Sequence, residues 1–275
     1  MHSIMLQVKN TLLKALERYA ILIAGRQDQR KRGQPVNPWI KDKGEKYLRG
    51  WDRRTTIVLV GTSVLLTLYS FAGRRRFFTQ HFGKFFIQHP LRRIFPYFYW
   101  FWMSAITLLL LPVLVVKLGI KDRIRDYGFR LTHGKLGWGF VLGGWLLMLP
   151  LIALVLQFFP SFQQKYPLSS VAGTNWKVFL VYEISYGVYM FCWEFFFRGF
   201  MLFGLEKRFG NYSILIQTIP FVSKHATKPF PEAMGSIITG IVLGALALET
   251  RSFIYGAAVH WLVAMSMDVL ALAWK

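Results

Sequence analysis

Cysteine is nearly missing from this sequence: Cys192 is the only one. That excludes an internal disulfide and a cysteine-based zinc site. The apolar neighbours of Cys192 mark it as an inert, buried thiol. Charge is also scarce, at 17% of residues, where a soluble domain carries about 25%. There is no His-Glu-x-x-His stretch, which excludes a zincin-type site, and neither a Gly-x-Ser-Gly elbow nor a Gly-Asp pair occurs. A secretory signal is absent too, because Lys9, Lys14, Glu17 and Arg18 interrupt the apolar residues between Met5 and Gly25.

Apolar residues are plentiful, 54% of the chain with 17% aromatic. Several uncharged runs reach the roughly 20 residues that a helix needs to cross ~30 Å of hydrocarbon. The expected fold is therefore all-α, a polytopic transmembrane bundle. About seven spans (six to eight) are predicted, near 56–73, 94–116, 136–159, 176–207, 211–226, 233–249 and 252–274. Thr55 and Thr56 stand where they could cap the first span, and residues 77–93 read as an interfacial helix. The stretch 176–207 is longer than one crossing requires.

The net charge of +21 comes from 34 Lys and Arg against 13 acidic residues. Thirteen of the basic residues fall within residues 1–54, read as a basic cytoplasmic extension with an amphipathic membrane-surface helix. Residues 55–275 form the transmembrane domain. Basic residues beside apolar runs fit loops facing anionic lipid, so the expected partners include membrane lipids and exclude nucleic acid. With the N-terminus cytoplasmic, loops 117–135, 207–210 and 249–252 lie inside, and only the basic stretch 74–93 conflicts. Small residues four apart, Ser236, Gly240 and Gly244 and again Gly139 and Gly143, are the spacing that lets membrane helices approach closely.

Three acidic residues, Glu183, Glu194 and Asp268, and two histidines, His225 and His260, fall inside predicted spans. A charge at membrane depth costs at least ~2.5 kcal/mol, so such groups are paired or functional. Glu194 and Arg198 are i, i+4 on one helix, with the acid N-terminal, the favourable order for a pair. At about 1.5 Å per residue from the cytoplasmic ends, Glu194 and His225 lie ~21 Å deep and His260 ~12 Å, so the three can meet. A carboxylate there can act as general base on a water. Imidazoles can hold the water or donate to an oxyanion. The same groups could instead bind a catalytic metal. Arg198 would orient Glu194 and keep it ionised.

These residues resemble the signatures of one family. Trp193-Glu194-Phe195-Phe196-Phe197-Arg198-Gly199 is similar to the Glu-Glu-x-x-x-Arg-Gly motif of the CAAX-processing and bacteriocin-processing (CPBP, or Abi) intramembrane proteases. Phe221-Val222-Ser223-Lys224-His225 resembles its Phe-x-x-x-His motif, and His260 the third motif, His-x-x-x-Asn/Asp. The resemblance covers about 176–270. Trp193 takes the place of the first glutamate, the one usually assigned to activate water, and Ala264 that of the last motif residue. Asp268 stands one turn beyond and could substitute.

The resemblance implies an intramembrane endopeptidase acting on membrane-associated proteins or peptides near their C-termini. The site residues are then Glu194, Arg198, His225, His260 and Asp268, with water activated by Glu194 together with the histidines. It implies a multi-pass protein of a bacterial inner membrane. It leaves open a divalent metal such as zinc or none. The alternative from another class is a non-catalytic scaffold or immunity protein that keeps the fold.

Overall fold

The computed structural model describes residues 50–274; the amphipathic helix and most of the basic extension expected before Arg53 lie outside them. From Arg53 onward the chain forms one compact unit, and every regular element in it is helical. In chain order these are α1 (Arg53–Phe71), α2 (Arg75–His81), α3 (Phe95–Ile120), α4 (Gly134–Phe158), α5 (Pro160–Lys165), α6 (Trp176–Phe209), α7 (Tyr212–His225), α8 (Phe230–Thr250) and α9 (Ile254–Ala273). Short 3-10 turns at Gly83–Phe86, Ile124–Tyr127 and Ala172–Thr174 join them.

Six of the helices, α1, α3, α4, α6, α8 and α9, are long and apolar enough to cross a membrane. About seven spans, six to eight, were expected, and six fall within that range. The segment expected at 211–226 is α7, whose 14 residues rise only ~21 Å and fall short of the hydrocarbon thickness. The N-terminal reading also shifts: α1 begins at Arg53, so Thr55 and Thr56 lie inside its first turn instead of capping it. The interfacial stretch is broken into α2 and a 3-10 turn rather than one helix.

α6 is the central strut. Asn175 caps it by accepting from the Lys177 amide at 2.8 Å. Of its most apolar stretch 89% is buried, against 17% for α4; from Ser185 to Leu205 α6 is enclosed by protein, while Leu180, Val181 and Ile184 near its start are exposed. Its core partners are aromatic: Phe101, Tyr182, Tyr186, Phe195, Phe196, Phe197 and Phe221 bury together. The buried polar tips of Trp100, Tyr69 and Tyr189 find partners, whereas the Tyr182 hydroxyl has none. The Trp100 indole donates to the Tyr69 hydroxyl at 2.7 Å, which lies 3.2 Å from that of Tyr189.

α6 turns back into α7 at Gly210, with φ 52° and ψ −134°, a conformation open in practice only to glycine. α7 then packs against α8 on the small-residue stripe. A Cβ on Gly240 would meet Thr218 Cγ2 at 2.7 Å and one on Gly244 would meet Ile214 Cγ2 at 2.9 Å, the close approach anticipated. The second stripe fails. Gly139 and Gly143 face open space, while Gly137 of the same helix seats the Tyr255 ring, which a Cβ would meet at 2.5 Å. Spacing identified the helix, but packing chose another face.

One end of the bundle is tied together by basic side chains. Arg53 donates to the Gly119 carbonyl at 2.8 Å, Arg54 pairs with Asp122 at 2.8 Å, and Arg251 pairs with Glu206 at 2.5 Å. At the opposite end Lys165 donates to the Thr227 carbonyl at 3.1 Å, and Lys228 pairs with Glu232 at 2.7 Å.

Candidate active site

Glu194 closes the regular part of α6, and Arg198 follows in a stretch of wide π-turns, Phe195–Phe203. Such widened turns often occur where a helix must aim functional side chains. Both residues are fully buried, and Arg198 Nη1 donates to Glu194 Oε1 at 3.1 Å. The guanidinium also lies over the Phe221 ring, 4.0 Å from its centroid, a cation–π contact in a dry setting.

His260 reaches across from α9. Its Nδ1 lies 2.7 Å from the same Glu194 Oε1. Since a carboxylate only accepts, Nδ1 donates to it, and the tautomer protonated there leaves Nε2 as the acceptor. His225, in the last turn of α7, has Nδ1 2.9 Å from the Phe221 carbonyl. That carbonyl fixes the same tautomer, again leaving Nε2 as an acceptor. Neutral imidazoles held this way offer lone pairs to a water. The oxyanion-donor role expected for them would require protonated rings.

The two histidines flank one aromatic ring. The Phe221 centroid is 4.6 Å from that of His225 and 6.5 Å from that of His260. His225 is near enough to act electrostatically on Glu194. Glu194, Arg198, His225 and His260 are thus brought together around Phe221. Asp268 is not: it adjoins Glu183 and Tyr182, eight residues or ~12 Å along α9 from His260. The substitution of Asp268 for the missing motif residue therefore has no geometry behind it.

Two features escaped the sequence. Phe221 is the floor on which Arg198 and both histidines rest, and its only signal was its place at the head of Phe-x-x-x-His. Trp193 turns its indole towards His225, with ring centroids 6.0 Å apart, and also packs against Tyr69, Tyr189 and Phe197. It fills with carbon the place where the motif has its first glutamate.

Among the described residues no three His, Cys, Asp or Glu side chains are grouped as a ligand set. The Glu194 Oε1 is taken by Arg198 and His260, whereas its Oε2 is buried without a hydrogen-bond partner.

Fold and site together define an integral, multi-pass helical membrane protein with a buried Glu–Arg–His centre. Residues 175–266 match the family model described as type II CAAX prenyl endopeptidase Rce1-like. This segment runs from the cap of α6 into α9 and contains all four converging residues. No curated protein and no solved structure matches the chain.

Proposed function

We propose that the protein is an intramembrane endopeptidase of CAAX-protease type, hydrolysing a peptide bond of membrane-associated proteins or peptides. Its N-terminus lies on the cytoplasmic side of a bacterial inner membrane, and the end bearing Arg53, Arg54, Lys207 and Arg251 faces the cytoplasm. The observation that carries the chemistry is the 2.7 Å contact between His260 Nδ1 and Glu194 Oε1. It makes a carboxylate–imidazole dyad in which Glu194 acts through His260. A water held between the Nε2 atoms of His260 and His225 attacks the scissile carbonyl while His260 takes its proton. Glu194 stabilises the imidazolium that forms, as a buried carboxylate does behind a general-base histidine. The proton then passes to the leaving amine. Arg198 keeps Glu194 ionised and oriented, and Phe221 holds the rings in register.

A second reading, a non-catalytic scaffold or immunity protein, is favoured by one feature: the Trp193 indole stands against His225 where the family motif has a glutamate. Cleavage of membrane-tethered peptides by purified protein in liposomes separates the two. Wild type should cut, and His260→Gln and Glu194→Gln should not. A wild type that cuts no peptide with a prenylated or free C-terminal tail establishes the scaffold reading.

A further inference from the structure

Below the Glu194–His260 contact, α6 and α9 meet at a second polar place that the proposed chemistry does not use. Glu183, eleven residues before Glu194 on α6, adjoins Asp268, eight residues after His260 on the antiparallel α9. Glu183 is 3% exposed and Asp268 is fully buried. None of their four carboxylate oxygens has a hydrogen-bond partner. The hydroxyl of Tyr182, also fully buried, adjoins Asp268 and is equally without a partner.

Among the described residues, the other groups that face the pair are engaged elsewhere. Lys228, from the turn before α8, is the cation that faces it, but its Nζ is held by Glu232 at 2.7 Å and by the Tyr166 hydroxyl at 2.8 Å. Tyr166 itself donates to Glu232 at 2.8 Å. Tyr186 faces Asp268 from α6. The Trp261 indole donates to the Glu183 main-chain carbonyl at 3.1 Å, not to its carboxylate. Two facing carboxylates so enclosed have only acceptors to offer each other, and like charges this close in a low dielectric cannot both ionise.

We propose that Glu183 and Asp268 form a proton-binding site, holding one proton between them in an O–H···O bond with the Tyr182 hydroxyl as a second donor. The shared proton bridges α6 and α9, the two helices also linked by Glu194 to His260 and by the Trp261 indole to the Glu183 carbonyl. Losing it would leave two negative charges on the seam and press apart the helices that carry the dyad. The proton site does not depend on the peptidase reading; its influence on the dyad does.

Infrared spectroscopy of the protein in lipid nanodiscs at neutral pH tests the site directly. Wild type should show the carbonyl stretch of a protonated carboxylic acid, shifted by deuterium exchange. The band should shift in frequency in Glu183→Gln and in Asp268→Asn, where one buried acid remains, and vanish only when both substitutions are combined. Thermal unfolding gives a second readout. The native pair holds a proton that unfolded carboxyls release, so its stabilisation is present at low pH and is lost as pH rises. Wild type should therefore melt progressively lower from about pH 6 to about pH 9, and Asp268→Asn should flatten that slope. Absence of the band in wild type, an unshifted band in both single variants, its persistence in the double variant, or an unchanged slope in Asp268→Asn overturns the site. A melting temperature raised by sodium with no band would assign the pair to a cation instead and equally overturns it. Neither measurement reads cleavage, so failure here leaves the peptidase proposal standing, and failure to cleave leaves the proton site standing.

Discussion

The Trp193 indole and the His225 imidazole face one another at 70° with ring centroids 6.0 Å apart. An aromatic edge rather than a carboxylate therefore borders the histidine that the family's second motif supplies.

Replacing the indole tests what that exchange means. Trp193→Glu removes a 4%-exposed ring and buries a new acid, at a cost of about 3 kcal/mol or more. With a dyad working through His260, the variant should melt lower than wild type and cleave no faster. A cleavage rate that appears only in Trp193→Glu would identify the wild type as a lapsed protease.

Arg198 is the counterion on which Glu194 depends. Arg198→Ala strands a fully buried carboxylate and should cost about 3–5 kcal/mol, read as a large drop in melting temperature in detergent. Removing both charges, in Glu194→Gln with Arg198→Met, should recover part of that loss. A single variant as stable as wild type would refute the pairing.

The two histidines should separate kinetically. His260→Gln removes the general base and should lower kcat by about 10²–10⁴. His225→Gln, which loses only a second acceptor for the water, should cost less. Equal losses would mean that His225 shares the proton transfer, contrary to its lack of a carboxylate partner.

The glycines of α4 and α8 should sort by neighbour and not by spacing. Gly137→Ala and Gly240→Ala place a Cβ 2.5 Å from the Tyr255 ring and 2.7 Å from Thr218, and should destabilise by about 1–3 kcal/mol through overpacking. Gly143→Ala meets nothing within 4 Å and should be neutral or gain up to about 1 kcal/mol from helix propensity. Melting curves of the three variants decide it.

The sequence alone determined the membrane character, the long central helix, the Glu194–Arg198 pair and the order of the three motifs. Each of these depends on what lies along a single helix: apolar run length, i to i+4 spacing, or depth at a fixed rise per residue. Tertiary structure decided everything that depends on which face of one helix meets which face of another. It put His260, rather than solvent, on the Glu194 carboxylate, and sent Asp268 to Glu183. It chose Gly137 over Gly139 and Gly143 for close packing, and shortened the 211–226 span to a helix that does not cross. The azimuth of a helix in a bundle is set by the summed packing of its neighbours, and for α6, apolar on every side, no periodicity in its own residues could point to it.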